Sequence, residues 1–280
     1  MDRRKVLGIL GAAPLTASIL SPSRALADDH ALDPNNVDDL YTIHRKLHFS
    51  LDDRVVYWYL RAIRYGLVDS AFTPFWDMHV GFISIAENEG DGFRIKMMSS
   101  IFYTDLETGK LLEKFDNPVT GERIPVRQPG VLGASRLYDK TGMVTEPVER
   151  PEMNVIDDSS IGPAWIVGDD VWCRGDTAAR LEPTSEDGRL FQVYDWSTFH
   201  GSITEVSDRE VASAHCSQTF VDLLTWPDWL NMGDSPGNYV SRGFGRKSWS
   251  MDGMPLEWSV IMRDQYPKEY ADPRSYIERL

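Results

Sequence analysis

The chain has 280 residues, with 43 acidic against 29 basic side chains and a formal net charge of −14. That length suits one large domain or two small ones with a sizeable buried core. The acidic balance argues against a nucleic-acid or anionic-lipid partner, because both attract a basic surface. After the N-terminus no apolar run approaches membrane-spanning length, so we expect no stable membrane span.

The first 27 residues carry the features of an export signal. Arg3 and Arg4 precede an uncharged apolar run, residues 9–20, and small residues suited to a signal peptidase follow at residues 25–27. The apolar run is too short for a permanent membrane helix, which needs roughly 20 residues. The paired arginines favour a twin-arginine signal over an ordinary secretory one. We therefore expect residues 1–27 to engage the twin-arginine export machinery, and the remainder to act in the periplasm or outside the cell.

The two cysteines, Cys173 and Cys216, both fall in predicted strands. An oxidising compartment would allow them to pair, whereas folding in the reducing cytoplasm before export argues for free thiols. The sequence favours free thiols. Neither cysteine has a second cysteine at CxxC spacing, so a two-cysteine metal site is disfavoured.

Helical periodicity is confined to the two ends of the mature chain. Residues 37–47 place apolar side chains close to helical spacing behind the capping residue Asn36, and residues 273–280 form a second short segment. His44 and His48 lie four apart on the first helix, a spacing that can hold a metal. Their two basic neighbours favour a solvated helix face instead.

Between these ends, alternating patterns predict strands. In residues 75–86, for example, Trp76 and Met78 share one face while Asp77 and His79 share the other. The predicted strands are residues 55–60, 75–86, 93–104, 164–167, 171–174, 190–199, 211–224 and 256–262. Residues 130–158 are rich in Gly and Pro and predict a long loop or lid.

Eight strands at this spacing predict a mainly β fold. We expect residues 28–280 to form a single antiparallel β-barrel, lipocalin-like or similar, with short terminal helices and long loops. A closed barrel is favoured because many aromatic residues and strands of mixed polarity suit a lined cavity.

A Gly-, Pro- and Trp-rich segment, residues 225–245, follows the strand at 211–224. It is too rich in Gly and Pro for a helix and too aromatic for a solvated linker. Loops of this kind either plug a core or wall a binding site.

Three stretches resemble a known family. Residues 103–109 (YTDLETG), 115–122 (FDNPVTGE) and 226–237 (WPDWLNMGDSPG) are similar to the signature segments of the domain-of-unknown-function 1838 family. The chain departs from that pattern at Asp116, where we expect Trp, and at Leu230, where we expect Met. The resemblance covers most of the mature chain and implies a compact exported or metabolic domain. It implies no activity and no catalytic residues.

The sequence lacks several signatures of common enzymes. It has no GxxxxGK, no GxGxxG after a strand, no HExxH and no GxSxG. Phosphate-cradling, zinc-protease and nucleophile-elbow mechanisms are therefore disfavoured.

Four residues are candidates for acid–base catalysis. Asp77 and His79 share a strand face, at the spacing of a carboxylate that orients an imidazole, although a surface pair would look the same. His215 belongs to a polar stripe on a strand that leads into the tryptophan-rich segment. Glu257 shares a predicted strand face with Arg263, where an internal salt bridge is the alternative.

Aromatic, arginine and methionine side chains near the expected cavity are candidates for substrate binding. They are Tyr57, Trp58, Arg94, Tyr194, Trp226, Trp229 and Met232. No cofactor is evident. A metal is left open, because it would require three of Asp77, His79, His200, His215 and Glu257 to converge.

Two functional hypotheses of different classes follow. The first is a lyase, isomerase or hydratase that acts by acid–base catalysis on an apolar or phenolic small molecule inside the barrel. The alternative is a barrel that binds a small hydrophobic ligand without chemistry. A third possibility, a structural interaction domain, would have a filled barrel. The enzyme hypothesis predicts that His215→Ala abolishes turnover with little loss of stability.

Overall fold

The computed structural model describes residues 32–144, 153–183 and 190–280, with backbone alone for residues 153–157 and 183. The predicted export signal lies outside these residues. The described part is mainly β. Its elements are α1 (Val37–His48), β1 (Val56–Val68), β2 (Ala71–Glu89), β3 (Gly92–Thr104), β4 (Lys114–Asp116), β5 (Arg123–Pro125), β6 (Gly130–Tyr138), β7 (Met143–Val144), β8 (Met153–Val167), β9 (Asp170–Pro183), β10 (Phe191–Ser202), α2 (Ile203–Ser207), β11 (Ser217–Leu224), β12 (Asn238–Ser248), α3 (Leu256–Gln265), α4 (Pro267–Ala271) and α5 (Pro273–Glu278).

Ten of the strands form one antiparallel sheet that curves into a nearly closed barrel, as predicted. Their order is β7-β6-β3-β2-β1-β12-β11-β10-β9-β8, and β4 and β5 form a separate hairpin. At the seam between the terminal strands, Ile161 N donates a hydrogen bond to Thr141 O at 3.1 Å. Residues Ala31–Leu280 form one compact unit.

Strict alternation decides which side chains enter the barrel. On β1, Trp58, Leu60 and Arg64 face inward, while Tyr59 and Arg61 face outward. Residues directly opposite each other in an antiparallel ladder share a face. The inner face therefore continues from strand to strand, and any charged residue at an inward position is carried into the lumen.

The helix α1 lies against one end of the barrel, where its C-terminus is held by buried lysines. Lys247 Nζ donates to the carbonyl oxygens of Lys46 and Leu47, both at 2.6 Å, and Lys46 Nζ donates to Val206 O at 2.8 Å. Ammonium groups at a helix C-terminus satisfy its free carbonyls and complement its dipole. The predicted solvated face is therefore wrong: the basic neighbours of the two histidines are buried against carbonyl groups.

The C-terminal helices cover the outer wall of β2 and β3. Trp258 of α3 is fully buried there and donates from Nε1 to Ser100 Oγ at 2.9 Å. A side chain at Gly81 would come within 2.7 Å of this indole ring, so glycine makes room for α3. The prediction of a strand at residues 256–262 is wrong, because the buried residues follow a helical spacing and Val260 is exposed.

The segment 225–245 proves to be a plug followed by a strand. Its second part, from Asn238, is β12, which the Gly-rich composition concealed. Its first part buries Trp226, Leu230 and Met232. We call the residues Trp226, Trp229, Leu230 and Met232 the tryptophan plug.

The plug packs against the barrel end opposite α1. Trp229 stacks on Trp76 with ring centroids 5.5 Å apart. Asn117, from the turn before β5, donates to Leu230 O at 3.0 Å. The plug therefore fills a core, which was one of the two roles predicted for this segment.

Two further predictions differ from the structure. The strand predicted from residue 211 begins at Ser217, because the preceding residues form a loop that packs beside α1. The predicted loop or lid at residues 130–158 contains β6 and β7 and the start of β8, with residues 145–152 outside the described part. No helix of the described residues has the length and apolarity needed to cross a membrane.

Candidate functional site

A cavity of about 280 Å³ occupies the barrel lumen between α1 and the tryptophan plug. Its walls are mostly aliphatic and aromatic, with Trp58, Val80 and Phe220 among the lining residues. The volume lies just below the roughly 300–1,000 Å³ of common ligand pockets. Polar groups line the cavity at two levels, one near α1 and one towards the plug.

The upper level holds His44 and His48, which we call the roof histidines. Their rings lie 5.4 Å apart edge to face, and His48 stacks on Phe49 and Phe199 at 3.9 and 4.3 Å. Burial lowers the pKa of His44 to about 4 and that of His48 well below its usual value, so both imidazoles are neutral at physiological pH. Within the described residues, Nδ1 of each ring has no hydrogen-bond partner.

The lower level is a single row of register partners across five neighbouring strands. Trp76 of β2 pairs with Arg64 of β1, which pairs with Ser241 of β12, followed by Asp222 of β11 and Asp195 of β10. We call these five residues the polar row. All face inward because direct register partners share a face. Arg64, Asp195 and Asp222 line the cavity, and Trp76 and Ser241 lie beside Arg64 at its edge.

A buried ion pair lies at the centre of the polar row. Arg64 Nη1 donates to Asp222 Oδ1 at 2.6 Å, and Ser241 N donates to the same oxygen at 2.7 Å. The guanidinium also stacks over the Tyr239 ring at 4.4 Å. Such contacts offset much of the cost of removing two charges from water.

Asp195 is the titratable end of the polar row. Burial raises its pKa to about 6, the neighbouring carboxylates of Asp222 and Asp176 add to this rise, and a hydrogen bond from Ser197 opposes it. Ser197 Oγ donates to Asp195 Oδ1 at 2.6 Å and accepts from Gln218 Nε2 at 2.8 Å. A carboxyl group with this pKa exchanges its proton near neutral pH, as a general acid or base must.

The two carboxyl groups of the row have different environments. Asp222 has an arginine partner and a backbone donor, whereas Asp195 accepts from the neutral Ser197 hydroxyl alone among the residues that the structure describes. Neighbouring carboxyl groups that differ in this way take different roles in acid–base sites. The geometry thus supports one fixed charge and one exchangeable proton beside a cavity.

Two of the predicted catalytic residues lie together, but on the outside of the barrel. His79 Nε2 is 3.7 Å from Asp77 Oδ2, as their shared strand face predicted. Arg61 donates to Asp77 Oδ2 at 2.9 Å from Nε and at 2.6 Å from Nη2, and Tyr59 Oη lies 2.8 Å from His79 Nδ1. We call these four residues the outer cluster. Burial lowers the pKa of His79 and raises that of Tyr59 to about 12.

The other two predicted catalytic residues are exposed. His215 precedes β11, outside the lumen, where it pairs with Glu205 at 2.8 Å and contacts Trp249. Glu257 is on α3, near enough to the outer cluster to influence its charges electrostatically. Neither residue lines the cavity, and the roles of all four remain predictions.

The predicted substrate-binding residues divide between the lumen, the plug and the outer wall. Trp58 lines the cavity, whereas Trp226, Trp229 and Met232 belong to the plug. The remaining three face outward: Tyr57 packs beneath the C-terminal helices, Arg94 pairs with Glu89 at 2.6 Å, and Tyr194 stacks on Trp196 at 5.9 Å.

The described residues contain no group of three or more His, Cys, Asp or Glu side chains placed to hold a metal. Cys173 and Cys216 are both free and buried, and burial raises the pKa of each thiol to about 12. Such thiols are poor nucleophiles.

Most of the polar row was not predicted from the sequence. The sequence nevertheless contains a signal for it. Arg64 is on the same face of β1 as Trp58 and Leu60, and Asp222 is on the same face of β11 as Phe220. A charged residue on the apolar face of an alternating strand predicts a buried ionic group. The roof histidines were considered, but their burial depends on how α1 packs.

Comparison of the chain with known protein families gives no match, and comparison with curated proteins gives none either. The resemblance to the domain-of-unknown-function 1838 family therefore stays a prediction.

Proposed function

We propose that the protein is an acid–base enzyme, a lyase, isomerase or hydratase, that moves a proton on a small and largely apolar molecule held in the barrel lumen. Asp195 gives or takes the proton. Arg64 and Asp222 hold a fixed pair of charges beside it, and the roof histidines hydrogen-bond to the far end of the guest.

The observation that carries this proposal is the position of the Asp195 carboxyl in the wall of the cavity, next to the Arg64–Asp222 ion pair, where burial raises its pKa to about 6. Both protonation states of this carboxyl group are populated near neutral pH, which maximises acid–base efficiency. Perturbed carboxyl groups beside a cavity are favoured as catalytic groups, although buried ionic networks perturb pKa values as well.

A second candidate function is supported by the composition of the walls. Most of the cavity surface comes from aliphatic and aromatic side chains, which grip an apolar guest without reacting with it. In this alternative the barrel stores or carries a small hydrophobic ligand, and the polar row orients it.

Solvent-deuterium exchange separates the two functions. The purified full chain is incubated in deuterium oxide with one-ring and short-chain carbonyl compounds and alcohols, and deuterium uptake is followed by NMR. An enzyme of the proposed class exchanges a substrate proton, and Asp195→Asn lowers the rate by about a hundredfold to ten-thousandfold. The matched control is Asp252→Asn, which changes an exposed carboxylate in the turn between β12 and α3 and leaves the rate unchanged.

Each outcome of this experiment is informative. Exchange that survives in Asp195→Asn removes this residue from the mechanism. Ligands that stabilise the protein without any exchange favour the carrier over the enzyme.

The cellular setting of the proposal rests on sequence alone. Residues 1–27 predict export through the twin-arginine route, and residues 28–280 then act in the periplasm or outside the cell. Fractionation of the native host, with the signal arginines replaced by lysine as the control, tests this prediction.

A further inference from the structure

Three buried hydrogen-bond donors of the polar row lack partners within the described residues. They are Arg64 Nε, Trp76 Nε1 and Ser241 Oγ. All three residues are at most 6% exposed, and they are register neighbours across β2, β1 and β12. A buried donor left unpaired destabilises the folded state, so three in one row call for an explanation.

The chemistry of these donors restricts what could pair with them. An indole N–H and a guanidinium can donate hydrogen bonds but cannot accept them, and a serine hydroxyl can do either. The missing partner is therefore an acceptor with several lone pairs. A carboxylate has two oxygens with about four acceptor sites and matches the planar fork of N–H groups along the edge of an arginine guanidinium.

On the side of Arg64 away from Asp222 and Asp195, where Trp76 lies, an unpaired guanidinium N–H favours an anion over a neutral carbonyl. Arg64 uses Nη1 on Asp222, while its Nε has no acceptor among the described residues. Hydrogen bonds between charged partners are roughly twice as strong as neutral ones, and burial strengthens them further. The Arg64 guanidinium thus has an N–H group, at Nε, that can bind a further acceptor.

We propose that Arg64, Trp76 and Ser241 form a carboxylate-binding subsite, and that the guest of the lumen is a small apolar carboxylic acid. The inference rests on the proposed role of the lumen as the binding site. The carboxylate lies towards the plug, and the apolar body extends along Leu60, Val80 and Phe220 towards the roof histidines.

This placement brings the guest to the proposed proton-transfer group. Arg64 reaches past β12 to Asp222, which is the register partner of Asp195 on the next strand. Adjacent strands are about 4.8 Å apart and β10 lies three strands from β1, so it is the apolar body of the guest, crossing the lumen from the carboxylate at Arg64, that approaches Asp195.

Isothermal titration calorimetry with benzoate and its neutral analogue benzamide tests the subsite on the full chain. At about pH 5.5 benzoate is charged, while Asp195 largely keeps its proton. We expect benzoate to bind at least about tenfold more tightly than benzamide, as a charged hydrogen-bonding subsite requires.

Ser241→Ala is the decisive variant because it removes an unpaired hydroxyl and leaves the backbone contact to Asp222 intact. We expect a loss of about threefold to tenfold in benzoate affinity, no change for benzamide, and an unchanged or higher thermal midpoint without ligand. The matched control is Ser259→Ala, which removes a buried hydroxyl on α3, outside the lumen, and keeps both affinities.

Two results would overturn the subsite. Equal affinity for benzoate and benzamide shows a lumen without a preference for anions, and failure of benzoate to bind contradicts it outright. Neither result touches the deuterium-exchange test of Asp195, so the proposed function stands or falls separately.

Discussion

The lumen and the outer cluster contain the same kinds of side chain but differ in how completely these are paired. In the outer cluster, Arg61 meets Asp77 through two N–H groups, and Tyr59 pairs with His79. In the lumen, a comparable arginine–aspartate pair lies beside a cavity, and its neighbouring donors have no partner in the described part of the chain.

This difference separates a structural cluster from a candidate site. A polar network whose members satisfy one another stabilises and orients the surfaces around it. Beneath α3, the outer cluster joins β1 to β2 close to Glu257. A network with unpaired donors beside a cavity can instead bind a guest molecule. Both contain a carboxylate near an arginine, so pairing rather than composition distinguishes them.

The comparison is tested most strongly by removing the central charge of the outer cluster. Asp77→Asn weakens two charge-assisted hydrogen bonds to Arg61 and alters the contact with His79, and we expect a loss of about 2–3 kcal/mol in the free energy of unfolding. Benzoate affinity and deuterium exchange should not change. Urea unfolding measures the first effect, and calorimetry and NMR measure the others.

Asp116→Asn supplies the matched control for that variant. Asp116 also faces an arginine, Arg123, at 3.7 Å, but both side chains are largely exposed. An exposed pair of this kind contributes little, so we expect no measurable loss. Loss of exchange in Asp77→Asn without unfolding would return the outer cluster to the catalytic machinery and contradict the comparison.

The pH dependence of stability sharpens the description of the lumen. The pKa of Asp195 is about 6 in the folded chain and near 3.8 when unfolded. Between these values the folded state holds a proton that the unfolded state has lost, so this residue makes stability fall as pH rises. We therefore compare the unfolding free energy of Asp195→Asn with that of the parent. We expect this difference to favour the variant by about 2 kcal/mol more above pH 6 than below pH 4.

The roof histidines have the opposite effect on the pH dependence of stability over nearly the same pH range. The pKa of His44 is about 4 in the folded chain against 6.5 in the unfolded one, so the unfolded state binds more protons and stability rises with pH. His44→Gln should therefore remove the part of this rise that His44 contributes and leave the part that His48 contributes. Urea unfolding of the parent and both variants across this range measures both slopes. Parallel profiles for all three would contradict the burial of these groups.

Alternation in the sequence predicted the barrel and the faces of its strands, because two-residue periodicity depends only on local backbone geometry. It placed Trp76 and Met78 on one face and Asp77 and His79 together on the other, as the structure has them. It could not decide which face would be covered from outside, since that depends on where the C-terminal helices pack.

The same local reasoning failed at α3. Leu256, Trp258 and Val260 alternate like a strand, yet only Trp258 of the three is buried. Pro255 before the segment, an acidic residue in its first turn and a basic one in its last are helix signals that outweighed the apparent period. The polar row is non-local, because its five members come from five strands and meet only through register.

The smallest expected effect is that of His215→Ala. This variant tests the site predicted from the sequence against the lumen site. Its imidazole is 75% exposed and pairs with Glu205 on the outside of the barrel. The sequence-based hypothesis predicts that His215→Ala abolishes turnover, whereas the lumen site predicts full deuterium exchange and a change in unfolding free energy within about 0.5 kcal/mol. Parallel measurement with Asp195→Asn in one exchange assay decides between them. If His215→Ala loses exchange and Asp195→Asn keeps it, proton transfer occurs on the outer surface, and the cavity serves only to hold a ligand.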